Sequence, residues 1–262
     1  FDKIKTKRLG FGQTRFFVSG AAPLGKDVLK FFASLDMPIL EVYGQSEGTG
    51  PTSFNRPGKT RFGTVGPPIP GVEVKIADDG EILVKGPNVF MGYYKNDKAS
   101  AETLTDGWLH SGDLGRLDED NFLHITGRKK DIIITAGGKN IAPKDIEAGL
   151  KGHSMVNEAV LIGDRRPYLV ALLTLDEEAA SAYAKKHNLK VEQLPDHEAL
   201  LADIQKTVES VNGKHAKVAG VKKFRILERP FSVDTGELTP TLKVKRNVVQ
   251  KSFESVIEEL YT

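Results

Sequence analysis

Cysteine is absent from all 262 positions, which removes disulfides, thiol catalysis and cysteine-based metal sites together, without fixing the redox compartment. Long apolar runs are missing as well. The longest, Tyr168 to Leu175, is interrupted by Thr174 and falls far short of the ~20 residues that a membrane-spanning helix needs. Neither sign of charge dominates: a formal net charge of +2 gives no electrostatic case for nucleic acid, which shows as a strong basic stripe. Lys214, Lys217, Lys222 and Lys223 therefore read as solvated surface. His110, His124 and His153 lack ligand-like spacing, and no Ser-His-Asp set is visible, which disfavours hydrolysis through a covalent nucleophile. The chain opens Phe1-Asp2-Lys3-Ile4-Lys5 with neither methionine nor a charged-then-apolar leader, so Phe1 is not expected to be the native start. What is present is an ordinary mixture, 39% hydrophobic and 27% charged, long enough for one large or two small cores. Two compact units are expected.

Local patterning divides the chain near Arg128. Arg15 to Val18 and Ile39 to Tyr43 read as strands, joined by a helix that starts at Pro23 and presents Leu24, Val28, Phe32 and Leu35 on one stripe. From Thr64 to Thr126 the texture is β-rich: Val72 to Ala77, an Asp78-Asp79-Gly80 turn, Glu81 to Lys85, and Phe122 to Ile125. Beyond Arg128 come Asp131 to Thr135, a Gly137-Gly138 turn and a helix opened by Pro143. Two strands follow, Ala159 to Ile162 and Leu169 to Leu175, flanking a turn at 163–167. A helix carrying Leu200, Ile204, Val208 and Val211, a strand Phe224 to Leu227, and a terminal helix with Val249, Phe253, Val256 and Leu260 complete an α+β unit. There is no internal repeat and no low-complexity stretch.

Four short motifs carry groups suited to nucleotide chemistry. Tyr43-Gly44-Gln45-Ser46-Glu47 offers an aromatic face, a glycine that lets backbone approach a ligand, and a hard carboxylate oxygen for Mg²⁺. In His110-Ser111-Gly112-Asp113, read as a loop, Asp113 could accept both hydroxyls of a sugar, and Arg128 of Gly127-Arg128-Lys129-Lys130-Asp131 could add a charge-assisted bond to it. Lys243, in Leu238-Thr239-Pro240-Thr241-Leu242-Lys243, is a flexible point charge that could meet a carboxylate and a phosphate oxygen. Ser19-Gly20-Ala21-Ala22 is a small-residue turn open to a flat ring. Each also has an ordinary reading, as a strand end, a turn former or a solvated basic surface.

In order and spacing these motifs resemble the adenylate-forming superfamily, from Val18 to Arg246, and the Thr-Pro-Thr-Leu-Lys stretch looks more like its long-chain acyl-CoA synthetases than its luciferases. The resemblance implies an α/β plus α+β fold. Residues 1–127 would be the end of a large adenylation domain, an α/β unit with a β-rich subdomain, and 128–262 a small mobile C-terminal domain hinged near Lys130. By the same resemblance, Gly20, Ala21, Ala22, Tyr43, Gly44 and Ser46 line the adenine site, and Glu47 holds Mg²⁺. Asp113 and Arg128 take the ribose, Gly138 lines the pantetheine channel, and Lys243 serves adenylation.

The implied reaction joins a fatty acid to CoA through an acyl-adenylate, consuming ATP and releasing pyrophosphate and then AMP. A hinge rotation would exchange the Lys243 face for the Gly138 face between the two steps. Nothing here matches the Ser/Thr/Gly-rich phosphate loop ending in Pro-Lys that such enzymes use, so a fragment inactive by itself is expected. The expected partners are ATP, Mg²⁺, a fatty acid and CoA, with no nucleic acid. A cytoplasmic setting, in solution or peripheral at a membrane, fits this reading; chain-length preference and oligomeric state stay open. Two alternatives also stay open: a ligase for another carboxylic acid or an acyl carrier, and a non-catalytic nucleotide- or CoA-binding module.

Overall fold

The computed structural model describes residues 2–20 and 24–262. The chain divides into two compact units, residues 1–130 and 131–262.

The first unit opens with a strand–helix–strand element. β1 (Phe17–Ser19) and β2 (Ile39–Gln45) are parallel, with α1 (Lys26–Ser34) between them in sequence, and β3 (Gly50–Phe54) joins β2 antiparallel. The expected apolar stripe on α1 is corrected by one residue. Leu29 is fully buried whereas Val28 is exposed, because the helix begins at Lys26 and its inward row runs through Leu29, Phe32 and Ala33. The expected helix start at Pro23 lies outside the described residues.

An antiparallel sheet follows, built from β4 (Glu73–Ile76), β5 (Glu81–Lys85), β6 (Leu104–Thr105), β7 (Trp108–Leu117) and β8 (Leu123–Arg128), with the helix α2 (Asp97–Thr103) between β5 and β6 in sequence. Its order is β4-β5-β7-β6, and β8 pairs with β7. The Asp78-Asp79-Gly80 turn closes the β4–β5 hairpin, with Ala77 N–H donating to Glu81 O. β7 was not expected as a strand at all. It is ten residues long and bears the Ser111-Gly112-Asp113 segment.

In the second unit, β9 (Ile133–Ile134) and β10 (Asn140–Ile141) form a small ribbon, followed by α3 (Lys144–Leu150). β11 (Val156–Ile162) and β12 (Leu169–Leu175) pair antiparallel. Two helices, α4 (Glu177–His187) and α5 (Glu198–Asn212), then lead to β13 (Val221–Ile226), which pairs parallel with β12 on its other edge. The central position of β12 explains its unbroken apolar run: Leu169, Ala171 and Leu173 join one core cluster and Val170 and Leu172 a second, so both faces are covered. Helices α6 (Arg246–Ser252) and α7 (Glu254–Tyr261) help close the second face through Val249, Ile257 and Leu260. The single terminal helix expected from sequence is broken at Phe253, whose φ of −117° and ψ of 28° leave the helical region.

The architecture is the α/β-plus-α+β combination expected, and among the described residues no helix is long and apolar enough to cross a membrane. Leu172 is wholly buried at the centre of this sheet. Leu172→Ala is expected to destabilise the second unit by about 2–5 kcal/mol, read as a lower urea midpoint with the first unit's transition unmoved.

Candidate active site

Tyr43 and Gly44 stand where β2 departs from regular pairing, at a register shift against β3. A side chain on Gly44 is sterically excluded, since a Cβ there would lie 1.9 Å from the carbonyl oxygen of Gly50. Gly20, at the end of β1, is nearly as confined, with a Cβ position 2.8 Å from Val42 Cγ1. Ala21 and Ala22 lie outside the described residues. After β2 the chain makes a single helical turn, Ser46–Gly48, which leaves Ser46 exposed and Glu47 half-buried. The loop at 88–93 braces that turn. Phe90 N–H donates to Glu47 O at 2.8 Å, the Asn88 side chain donates to Gly48 O at 2.9 Å, and the Tyr93 hydroxyl donates to Glu47 Oε1 at 2.6 Å.

Asp113 lies in β7 rather than in the expected loop, and its reach comes from a bulge. Glu81 pairs with Leu114 and Leu83 with His110, so the single residue Ile82 on β5 faces Ser111, Gly112 and Asp113 on β7. Gly112 takes a φ of +69°, which lets the bulge turn. On the opposite edge Asp113 pairs with Arg128 at the end of β8.

The Asp113 carboxylate, 4% exposed as a residue, accepts from the Tyr43 hydroxyl at Oδ2 (2.9 Å) and from Arg128 Nε at Oδ1 (2.8 Å). Burial and the Asp113 charge together push the Tyr43 hydroxyl well above its ordinary pKa, so it stays a donor. Three residues distant in sequence thus form one hydrogen-bonded unit, joining the end of β2 to the β7–β8 pair. An ionised carboxylate has about four acceptor positions, so two donors leave capacity for a diol.

The remaining sequence-predicted residues belong to other places. Lys130 is the last residue of the first unit and is exposed. Gly138, with φ +71°, turns the chain between β9 and β10, its N–H donating to Thr135 O at 2.8 Å. Lys243 is exposed on a turn in which Leu238 bridges Val244, Thr239 N–H donates to Lys243 O at 2.8 Å, and Leu242 adopts a φ of +59°. Beneath this turn Glu237 is fully buried, accepting two bonds from Arg229 (2.8 and 2.6 Å) and one from Thr235 (2.7 Å). No group of three or more metal-ligating side chains is gathered among the described residues.

Residues 2–94 match the family of AMP-binding enzymes and residues 130–262 match the AMP-binding enzyme C-terminal domain. The chain belongs to the AMP-binding enzymes. Over its full length it is 44% identical to the long-chain-fatty-acid–CoA ligase FadD15 of Mycobacterium tuberculosis, covering 45% of that relative. It is 40% identical to the long-chain-fatty-acid–CoA ligase ACSBG2 of Xenopus laevis, covering 39%. The chain therefore spans less than half the length of these curated relatives. Among solved structures it is similar to the o-succinylbenzoate CoA synthetase of Bacillus subtilis in complex with AMP, with a TM-score of 0.69, 28% identity, and coverage of 89% of this chain and 45% of that one. It also shares the fold of the adenylation domain of a carboxylic acid reductase from Segniliparus rugosus, with a TM-score of 0.77, 22% identity, and coverage of 99% and 41%.

Sequence reasoning passed over three residues here. Tyr93, which donates to Glu47, gave no signal beyond being one aromatic of the stretch Phe90-Met91-Gly92-Tyr93-Tyr94. Glu81 did give one: a charge opening a strand whose first four residues are all buried. Glu237 gave none, and its burial beneath the Lys243 turn shows only in the structure. The Arg229 guanidinium holds its carboxyl below the usual range against the opposing effect of burial. A lowered folded-state pKa adds stability above the unfolded value, near 4.5, which is lost as pH falls through the folded value. Glu237→Gln is expected to cost about 1.5–3 kcal/mol at pH 7 and to flatten the acid limb below pH ~4.5, as measured by urea unfolding of the second unit at several pH values.

Proposed function

We propose that this chain is part of a long-chain fatty-acid–CoA ligase and holds the adenosine of ATP on its first unit. The observation that carries the reading is the hydrogen-bonded set Tyr43–Asp113–Arg128, assembled at the end of β2 from three separated segments. It is supported by 44% identity to a curated ligase of that class and by the AMP complex of a related synthetase.

In this reading Asp113 accepts the two ribose hydroxyls with its remaining lone pairs, and the bond from Arg128 Nε holds the carboxylate oriented. The Tyr43 ring supplies a face for adenine, and Gly20, Ala21, Ala22, Gly44 and Ser46 are assigned to the same site by their place in the family's motifs. Glu47 fits a magnesium site of the kind made by one carboxylate plus substrate phosphates: it is half-buried and fixed by Tyr93. A magnesium ion held there would offset phosphate charge.

The overall reaction has two steps. A fatty-acid carboxylate oxygen attacks the α-phosphorus of ATP and pyrophosphate leaves; the CoA thiol then attacks the acyl carbonyl, loses its proton, and AMP leaves with the bonding electron pair. Lys243 is the ammonium proposed for the first step, where charge builds on the α-phosphate oxygens. Gly138, whose Cβ position meets nothing within 4 Å, is proposed for the pantetheine arm, and Lys130 for the hinge between the steps. ATP, a fatty acid and CoA are the proposed substrates, and the proposed setting is cytoplasmic, in solution or peripheral at a membrane. The Thr239-Pro240-Thr241-Leu242-Lys243 stretch favours long acyl chains, and the lack of a Ser/Thr/Gly-rich phosphate loop suggests that these residues alone do not turn over.

Pyrophosphate release with ATP and a long-chain fatty acid is expected to need a longer chain that supplies such a loop; equal rates with and without it would reject the inactivity. In the longer enzyme Lys243→Ala is expected to slow adenylation by about 10²-fold or more while sparing acyl-CoA formation from supplied acyl-adenylate. Equal loss of both half-reactions would remove the assigned role.

A further inference from the structure

The bulge that presents Asp113 leaves backbone donors without ladder partners; Ser111 Oγ accepts from Asp113 N–H at 3.1 Å, and a more distant side chain takes the Gly112 N–H. Glu81 is 4% exposed, and its carboxylate accepts from Gly112 N–H at 2.8 Å through Oε1. Its Oε2 meets Lys129 Nζ at 2.9 Å and His110 Nδ1 at 3.2 Å. Gly112 directly precedes Asp113, and Lys129 directly follows Arg128. Asp79 completes the clasp: its Oδ2 lies 2.6 Å from the same Lys129 ammonium, and its Oδ1 accepts from Glu81 N–H at 3.1 Å.

Glu81 thus holds the chain neighbour of Asp113 on one strand and that of Arg128 on the next. An apolar residue would fit this buried strand at least as well, but it would strand the Gly112 N–H and take from the Lys129 ammonium one of its two carboxylates. Burial by itself would push the Glu81 carboxyl up; Lys129, Gly112 and His110 outweigh it and hold the group below its usual value, so it is ionised at neutral pH.

We propose that Glu81 is a positioning residue for ribose recognition, setting the spacing of Asp113 and Arg128 through Gly112 and Lys129. The proposal rests on the reading that Asp113 receives the ribose hydroxyls. A glutamine at 81 keeps an acceptor for Gly112 N–H but loses the charge facing Lys129, and a leucine loses both.

The test compares AMP with 2′,3′-dideoxy-AMP, which lacks both ribose hydroxyls, as probes in titration calorimetry with wild type, Asp113→Asn, E81Q, Glu81→Leu and Lys129→Met. Wild type should prefer AMP, and Asp113→Asn should abolish the preference. E81Q should weaken AMP binding by about three- to tenfold and Glu81→Leu by more, each leaving dideoxy-AMP affinity unchanged. Lys129→Met alters a half-exposed side chain and keeps the test open if the Glu81 variants fail to fold; it too should narrow the preference. Folded variants that retain the wild-type preference, or that lose affinity for both nucleotides equally, would overturn the proposal while Asp113→Asn still upholds the ribose reading. A wild type that prefers neither nucleotide would overturn both.

Discussion

Where β7 runs past β5, three of its residues face one, and the ladder bonds lost there must be replaced. The replacement is side-chain chemistry. Glu81 takes the Gly112 N–H from one side of the strand, while Tyr43 and Arg128 take up the Asp113 carboxylate on the other. A buried carboxylate is costly unless its lone pairs are met by donors, and here two such groups stand within one short stretch of sheet. The bulge, the glycine at its crest and the two acids therefore stand or fall together.

The second unit is arranged differently. Its rigidity resides in β12, screened on both faces, whereas the residues proposed for chemistry, Gly138 and Lys243, are on turns at the surface. Gly138 and Lys243 themselves are outside the two core clusters, while Leu238 and Val244, which close the Lys243 turn, pack against the second. The Arg229–Glu237 pair supplies the Lys243 turn with a fixed base: the carboxylate is wholly inside and the next two residues lead directly into Pro240.

How much of this was legible in the sequence depended on whether the signal was local. The Asp-Gly hairpin, the helix bearing Leu200, Ile204, Val208 and Val211, and the apolar run of β12 each carry their own pattern, and each formed as read. β7 was hidden because Ser111-Gly112-Asp113 is turn-like in composition; the strand survives because both neighbours pair across the bulge. α4 was hidden because only Ala180 and Ala184 are buried, and it is fixed instead by Asp176 capping Ala179 N–H and by acids and bases at the appropriate ends. The motif residues could be picked out by type and order. The partnership of Tyr43, Asp113 and Arg128 could not be derived from local pattern, because it joins residues 70 and 15 positions apart.

The parallel edge of the second sheet has a kinetic consequence. β11 and β12 are near neighbours in the chain and can zip as a hairpin, but Leu169 meets Val221 only after both intervening helices have been threaded past. Closing so wide a loop before the contact rewards it is slow. During synthesis, the apolar underside of β12 must wait for residues on the far side of α5 to emerge. For that interval the nascent chain carries a naked hydrophobic edge, the stretch where chaperone capture or aggregation would begin.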